Sequence, residues 1–373
     1  MKTEGLTSWV EVDLGALRHN LQQVRLLVGP KVRILAVVKA DAYGHGAVPV
    51  ARALAAAGVQ YLGVTTLEEG LEIRRAGVST PMLVFSPLLP DQIEEALIND
   101  LDITVFNLDM AAAVSECVAR CGKRAMVHIK VDTGMGRLGV MPEECPSFLY
   151  SLLRMSGVDI AGVYTHFANA AAKNLFHANE QNKQFSQLVE LLESKDMPTG
   201  LCHASGSAAI LNLPDARYDM VRAGTILYGQ YPGSHLAVRP ELKETWTLKS
   251  RIVAVRKLSA GTGVGYGGEW SASRPTRAAI IAVGYSDGFT VMPESVARRM
   301  LSPIRVVAEK VLRKPSAPHV VVNGQRSPVI GRISMQMCSI DVTDIPGAKV
   351  GDEVIIPARR TTTSSLIPRV YVE

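Results

Sequence analysis

The sequence predicts an α/β chain, a (β/α)8 TIM barrel followed by a mostly β C-terminal domain. The first observation behind this prediction is an alternation of short apolar runs with helix-period segments up to residue 239. The second is a change after residue 240, where strand-like runs follow one another through glycine-rich turns. A strand followed by a helix, repeated eight times, is the pattern of such a barrel. We therefore expect the barrel over residues 13–239 and the β domain over 240–373.

Eight short runs of apolar and β-branched residues are the candidate barrel strands. They are residues 32–38, 61–66, 81–86, 103–107, 125–131, 160–166, 200–204 and 219–223. Between them lie segments with apolar residues at three- and four-residue steps, as at 91–100 and 182–195, which predict helices. Asp13 is a candidate N-cap for a helix that precedes the first strand. In the second domain, residues 293–314 are interpreted as a helix or a long insertion.

Composition and charge exclude several classes of protein. The 373 residues are 47% hydrophobic and 20% charged, which predicts a globular chain with a large core. No apolar run approaches the ~18 residues of a membrane span, and the N-terminus has no signal-peptide pattern. Basic residues between Arg298 and Arg326 are interpreted as a solvated surface rather than a nucleic-acid site. Five cysteines without metal-ligand spacing predict a cytoplasmic location and no metal site.

Titratable residues collect at the predicted carboxyl ends of the barrel strands, where the active sites of this fold lie. They are Lys39, Lys130, Asp132, Arg137, His166, His203 and Arg222. So many cations at one barrel mouth require an anion. The loops after the seventh and eighth strands, at residues 205–207 and 223–225, have small residues that let backbone N–H groups approach a phosphate.

A phosphate, a lysine across the barrel mouth and an arginine between them form the layout of a pyridoxal phosphate site. In such a site the lysine bonds to the cofactor aldehyde and a protein side chain contacts the ring nitrogen. Lys39 is the candidate for this lysine, held at a strand end and kept reactive by partial burial. The alternative is a surface lysine whose stem lies along the protein.

Five stretches of the sequence match one family of enzymes. The most specific are AVVKADAYGHGA at residues 36–47 and HIKVDTGMGRLG at 128–139, and VGYGGEW, AVGYSDG and GRISMQMCSIDVTD extend the match into the second domain. This is a resemblance to the alanine racemases, fold-type III pyridoxal phosphate enzymes, and it covers nearly the whole chain. It implies racemisation of L- and D-alanine, which supplies D-alanine for cell-wall peptidoglycan. It also implies that residues 1–12 join the β domain, and that the protein is a homodimer in which each β domain closes the partner's active site.

The resemblance also assigns roles to single residues. Racemisation needs a base on each face of the substrate, and Lys39 matches the base for D-alanine while the partner subunit's Tyr266 matches the base for L-alanine. A phenol is a poor base at neutral pH, so His166 and the arginines must favour its charged form. Arg222 matches the arginine that faces the ring nitrogen and leaves it unprotonated. Matched to the phosphate are Tyr43, Ser207, Gly224 and Thr225, and matched to the substrate carboxylate are Arg137 and Met335.

Lys130 is predicted to be carbamylated, as it is in some members of the resembled family. A bare ammonium beside Arg137 is repulsive and costly to desolvate, whereas a carbamate reverses the charge and orients the arginine.

The sequence departs from the family pattern at positions that bear on substrate range. Gln336 replaces the usual aspartate, Val291 replaces an arginine of many members, and Ala171 replaces the aspartate that faces it in some. Near the shortened C-terminus, Ser365 falls where a pocket-narrowing tyrosine is usual, unless Tyr371 substitutes for it. We therefore expect alanine to remain a substrate while serine or larger amino acids become measurable ones. A neighbouring loop that refills the gap would keep strict alanine specificity.

Two functions of other classes stay open from the sequence. An amino-acid decarboxylase of the same cofactor fold needs an acidic residue at the ring nitrogen, where Arg222 stands. A non-catalytic pyridoxal phosphate carrier shares the barrel but has no β domain, whereas residues 240–373 follow the barrel here. A serine racemase or a racemase of broad specificity is the nearer alternative.

Overall fold

The computed structural model describes residues 3–291 and 317–373. The chain divides into two compact units, Leu14–Thr245 on the one hand and Met1–Asp13 with Trp246–Glu373 on the other. The helix or insertion expected at 293–314 lies outside the described residues. Strand β1 (Ser8–Asp13) is the first element along the chain and belongs to the second of these units.

The Leu14–Thr245 unit contains an eight-stranded parallel sheet. Its strands are β2 (Arg33–Val37), β3 (Tyr61–Val64), β4 (Met82–Val84), β5 (Asp102–Val105), β6 (Ala125–Lys130), β7 (Val158–Tyr164), β8 (Leu201–His203) and β9 (Met220–Ala223). The strand order is β8-β7-β6-β5-β4-β3-β2-β9, and a parallel bridge connects Arg222 of β9 with Gly206, three residues after β8. Each of the eight predicted strands overlaps one of these, so the predicted barrel is confirmed.

Helices alternate with these strands. They are α1 (Leu14–Val28), α2 (Lys39–Gly44), α3 (Ala47–Ala56), α4 (Leu67–Arg75), α5 (Pro90–Ile98), α6 (Leu108–Cys121), α7 (Cys145–Leu153), α8 (Phe176–Ser194) and α9 (Ser207–Asn212), with a 3-10 turn at Pro214–Ala216. Local sequence explains where several of them begin. The Asn107 side chain accepts a hydrogen bond from the Met110 backbone N–H at 2.8 Å at the start of α6, and Gly122, with φ of 68°, ends that helix.

The barrel interior has an apolar and a polar side. Along β2, Ile34 and Ala36 pack in the layer shared with the helices, whereas Leu35 and Val37 pack with Leu83 in a separate interior cluster. This alternation follows from the two-residue period of a strand. Buried polar side chains occupy the other side of the interior: Thr104, His128, Lys130, Tyr164, His203 and Arg222. Among them, Lys130, His203 and Arg222 lie at the carboxyl ends of their strands.

The other unit is mostly β, as predicted. Its further strands are β10 (Trp246–Leu258), β11 (Gly263–Val264), β12 (Trp270–Ser271), β13 (Thr276–Ile281), β14 (His319–Val322), β15 (Gln325–Ile330), β16 (Cys338–Asp341), β17 (Glu353–Ile356) and β18 (Arg369–Val372), with 3-10 turns at Tyr266–Gly268 and Tyr285–Asp287. The main sheet has the order β13-β16-β15-β14-β17-β10-β1-β18, and β13 also pairs with β10. β1 pairs with β10 in antiparallel and with β18 in parallel register. Among the described residues, no helix is both long and apolar enough to cross a membrane.

Candidate active site

A cavity of about 340 Å³ lies at the carboxyl ends of the barrel strands. It is lined by every residue of this unit that was expected to bind cofactor or substrate or to be carbamylated: Lys39, Tyr43, Lys130, Arg137, His166, Ser207, Arg222, Gly224 and Thr225. The remaining two, Tyr266 and Met335, belong to the β unit, where their side chains are 69% and 58% exposed. Ala171, expected to affect substrate range, also lines the cavity.

Lys39 is not the last residue of a strand but the first residue of α2, two positions after β2 ends at Val37. The residues that follow it form a left-handed turn, a conformation that costs an ordinary residue roughly 1–2 kcal/mol. Four successive φ angles lie between 50° and 57°, those of Ala40, Asp41, Ala42 and Tyr43. The turn brings the Lys39 and Tyr43 side chains to the same cavity.

Two carboxylates hold this strained turn. One oxygen of Glu69 accepts a hydrogen bond from the Ala40 backbone N–H at 2.6 Å, and its other oxygen accepts from Thr65 N–H at 2.7 Å. Glu69 is oriented by its own helix, since it forms a capping box at the start of α4. At the other end of the turn, the Asp41 side chain accepts from Ala47 N–H at 2.7 Å. The start of α4 therefore determines the backbone next to Lys39.

Both lysines of the cavity have a lowered pKa. For half-buried Lys39, burial and the Arg137 charge lower the pKa, and Glu69 opposes them. For Lys130, which is only 5% exposed, burial and the Arg222 charge lower the pKa to about 7. An amine with a lowered pKa is uncharged more often, and the uncharged amine is the form that reacts with a carbonyl carbon.

Arg222 is the hydrogen-bonding centre of the cavity floor. Its Nη2 donates to the carbonyl oxygens of Thr165 and Ala204, each at 2.7 Å, and lies 3.0 Å from Nδ1 of His166. Its Nη1 donates to Nδ1 of His203 at 2.8 Å. Burial lowers the pKa of Arg222 to about 10, so the guanidinium keeps its proton at neutral pH. Burial and the Arg222 charge hold the pKa of His166 well below its usual value, so His166 is neutral and accepts this bond.

Polar groups from three segments converge at another side of the cavity. The Gly224 backbone N–H donates to the Ser207 hydroxyl at 3.0 Å. A Cβ added at Gly224 would lie 2.7 Å from the Tyr43 hydroxyl oxygen, so only glycine leaves room for this approach. The Thr225 hydroxyl is buried and has no hydrogen-bond partner among the residues that the structure describes. A buried hydroxyl without a partner is costly, and an anion with several acceptor oxygens would satisfy it.

Family models decide the classification of the chain. The alanine racemase N-terminal domain model matches residues 12–232, and the alanine racemase C-terminal domain model matches residues 245–367. This chain belongs to the alanine racemase family. The alanine racemase of Desulforamulus reducens is 38% identical to it over 98% of each chain.

Solved structures of the alanine racemase family share the whole fold. The alanine racemase of Clostridium difficile 630 is 31% identical, with a TM-score of 0.89, and the match covers 99% of this chain and 97% of that one. A structure of that enzyme in complex with cycloserine is 30% identical, with a TM-score of 0.87 and coverage of 99% and 96%.

Not every polar residue at the strand ends of this alanine racemase family member lines the cavity. One oxygen of Asp132 accepts from the backbone N–H groups of Gly134, Met135 and Gly136 at 2.8 to 3.1 Å, so Asp132 shapes the loop that carries Arg137. His203 is completely buried beneath Arg222.

Two further buried polar residues, His128 and Asp102, were not identified from the sequence. The signal was available for His128, because it lies two residues before Lys130 on the same strand and therefore on the same face.

Proposed function

We propose that this protein is an amino-acid isomerase that interconverts L-alanine and D-alanine, with pyridoxal 5'-phosphate as its cofactor. Its family membership supports the reaction. The observation that carries the proposal is that one cavity combines Lys39, the Arg222 guanidinium and the converging polar groups at Gly224. Lys39 would bond to the aldehyde of the cofactor, Arg222 would face its ring nitrogen, and the polar groups at Gly224 would hold its phosphate.

The residues of the cavity fit this cofactor. The unpartnered Thr225 hydroxyl, the Ser207 hydroxyl and the Tyr43 hydroxyl would hold the phosphate, and Gly224 provides the space for its approach. Arg222 would face the ring nitrogen as a donor only, because its guanidinium keeps its protons. When bound, the cofactor withdraws electrons from the substrate and makes the proton on Cα acidic.

Lys39 and Tyr266 are proposed as the two bases. Inversion requires a proton to leave one face of Cα and another to arrive on the opposite face, which one side chain cannot do. The Lys39 Nζ, whose pKa is lowered by burial, can hold or release a proton on the side of the barrel. The exposed Tyr266 hydroxyl would serve the other face from a second copy of the chain. Arg137 and Met335 are proposed to contact the substrate carboxylate.

The exposed surface around Tyr266 supports a homodimer. Gly265, which precedes Tyr266, packs against the backbone of Arg332, since an added Cβ there would lie 3.0 Å from the Arg332 N atom. The backbone N–H of Tyr285 donates to Ser334 at 3.1 Å in the same group of loops. These loops expose large apolar side chains, among them Tyr266, Tyr285, Met335 and Met337. Exposed apolar patches of this kind mark interaction sites.

We propose a cytoplasmic enzyme whose D-alanine is used for cell-wall peptidoglycan. The five cysteines support a reducing compartment, because all of them are free thiols and four are buried.

Optical rotation tests the proposed function directly. Protein loaded with pyridoxal 5'-phosphate should convert L-alanine to a racemic mixture, and the rotation should fall to zero. Carbon dioxide release would indicate a decarboxylase instead, and cofactor binding without any turnover would indicate a carrier. Lys39→Ala is the matched variant, since it removes the proposed base and the covalent attachment while leaving the cavity walls in place.

A further inference from the structure

A chain of buried hydrogen bonds runs from Arg222 to the opposite end of the barrel. Arg222 Nη1 lies 2.8 Å from Nδ1 of His203, whose Nε2 lies 3.1 Å from Nδ1 of His128. The His128 Nε2 lies 3.3 Å from a carboxylate oxygen of Asp102. Arg222 belongs to the cavity at the carboxyl ends of the strands, whereas Asp102 is the first residue of β5. The chain therefore spans the barrel interior along the strands.

The groups at the two ends of this hydrogen-bonded chain determine which atom donates in each hydrogen bond. A guanidinium only donates, so where this bond is made Nδ1 of His203 accepts and the His203 proton lies on Nε2. That proton is donated to Nδ1 of His128, which leaves the His128 proton on Nε2. This second proton is donated to Asp102, since a carboxylate only accepts. Both imidazoles are neutral in this arrangement, and every donor points from the buried cation to the buried anion.

We propose that Asp102 is a positioning residue for Arg222 and acts through His128 and His203. If these hydrogen bonds ran in the opposite direction, an imidazole N–H of His203 would face the guanidinium N–H groups and repel them. The negative charge of Asp102 makes that reversed arrangement unfavourable, because it would place an unprotonated His128 nitrogen against the carboxylate. The effect of Asp102 on catalysis rests on the proposed function of Arg222. The proton positions on His203 and His128 do not depend on that function.

Packing fixes the two imidazole rings in the required orientation. The His203 ring stacks on Tyr164 with centroids 4.8 Å apart and an interplanar angle of 4°. The His128 ring fits only because residue 162 is glycine, since a Cβ there would lie 2.5 Å from Nδ1 of His128. The Tyr61 ring meets the other side of His128 edge-on at 5.9 Å. This packing restricts rotation of the rings, so the position of each proton is the main remaining freedom.

Arginine side chains lie near Asp102. It is 6% exposed and lines a second cavity of about 530 Å³ at its end of the barrel. Arg74 and Arg124 line the same cavity and carry the opposite charge. Burial and the Asp102 charge raise the pKa of Tyr61, so the neighbouring phenol stays protonated and adds no second negative charge.

Nitrogen NMR of histidine side chains tests the proposal. In 15N-histidine protein loaded with the cofactor, His203 and His128 should each carry one proton, on Nε2, with Nδ1 unprotonated. Asp102→Asn keeps the side-chain shape but removes the charge, and an amide can donate to His128 Nε2 as well as accept from it. The opposite direction then loses its penalty at this end, so both rings should show a mixture of proton positions. The control is Asp100→Asn, which changes an exposed carboxylate at the same cavity and should leave both rings unchanged.

Kinetics distinguishes positioning from general destabilisation. Asp102→Asn should lower kcat for alanine by roughly tenfold or more while KM changes by less than about threefold. A proton on Nδ1 of His203 in the unaltered protein would overturn the proposal, and so would unchanged proton positions in Asp102→Asn. The wild-type spectrum needs no variant, so poor folding of Asp102→Asn leaves the test intact. Absence of racemisation with the expected proton positions would contradict the proposed function alone.

Discussion

The Lys130 Nζ lies 4.8 Å from the centre of the Tyr164 ring, and the Arg222 guanidinium carbon lies 5.3 Å from the same ring. Two basic side chains thus share one buried aromatic neighbour, and neither has a carboxylate at ion-pair distance among the residues described. Burial and the Arg222 charge explain why the Lys130 pKa lies at about 7.

This lowered pKa predicts a pH-dependent stability. Between pH 7 and the ordinary pKa of 10.5, the unfolded chain binds a proton on Lys130 that the folded chain does not. The free energy of unfolding should therefore rise with pH in this range, by up to about 1.4 kcal/mol per pH unit, relative to Lys130→Met. Urea unfolding in carbon dioxide-free buffer measures it, and exposed Lys183→Met is the control. If the free energy of unfolding depended on pH in the same way for Lys130→Met and wild type, the lowered pKa of Lys130 would be contradicted.

Lys130 should carry a carbamate when bicarbonate is supplied. Its uncharged amine, favoured by the lowered pKa, can attack carbon dioxide, and the product replaces a buried positive charge near Arg222 and Arg137 by a negative one. Carbon NMR with labelled bicarbonate should show one carbamate signal that is absent from Lys130→Met. An unmodified amine at Lys130 in electron density from bicarbonate-grown crystals would contradict this prediction.

The left-handed turn after Lys39 predicts an unusual effect of glycine. Ala40 is exposed and has a φ of 52°, so Ala40→Gly should relieve backbone strain and stabilise the protein by about 0.5–1 kcal/mol, after the entropy cost of glycine. The same change at Ala112, exposed within α6, should destabilise by about 1 kcal/mol. Chemical denaturation compares the two variants. Equal losses at both positions would mean that residue 40 is not left-handed.

Shared active sites predict recovery of activity on subunit exchange. Lys39→Ala and Tyr266→Phe should each be inactive alone, since each lacks one of the two bases. Heterodimers formed by mixing them carry one site with both lesions and one intact site, so each heterodimer should approach half the activity of a wild-type dimer. The racemisation rate after refolding the two variants together measures this. No recovery, with heterodimers present by native mass spectrometry, would argue against a base from the second subunit.

Substrate range is expected to depend on two small residues, Ala171 and Ser365. Ala171 lines the cavity, and Ser365 offers no ring to narrow a pocket. A pocket with room for one more hydroxymethyl group discriminates by only ~1–3 kcal/mol, so L-serine should be a measurable substrate beside L-alanine. The measurement is kcat/KM for both amino acids. A preference for alanine above ~1,000-fold would exceed a size effect and refute the open pocket.

The fold was largely predictable because strands and helices of a barrel leave strong periodic signals. All eight strands were found from short apolar runs, and Lys130 was correctly placed at the end of a strand. Lys39 was expected to end a strand, but it begins a left-handed turn. Alanine and tyrosine rarely adopt that conformation, and the hydrogen bond from Ala40 to Glu69 that holds it joins residues far apart in sequence.

The hydrogen-bonded chain behind Arg222 was beyond sequence reasoning for a similar reason. Asp102 is the first residue of β5 and lies one residue before the strand predicted at 103–107, a position where a carboxylate is normally solvated. Only the three-dimensional pairing of β5, β6, β7 and β8 brings Asp102, His128 and His203 into one line.

Racemisation of L-alanine in heavy water, by protein loaded with pyridoxal 5'-phosphate, tests the central claim most directly. The Lys39 Nζ exchanges its protons with solvent, so the proton that it delivers to the second face of Cα should be deuterium. The account predicts that optical rotation falls to zero and that D-alanine carries deuterium at Cα from the first turnovers. Unchanged rotation with bound cofactor, or D-alanine that retains its original hydrogen, would contradict a two-base alanine racemase.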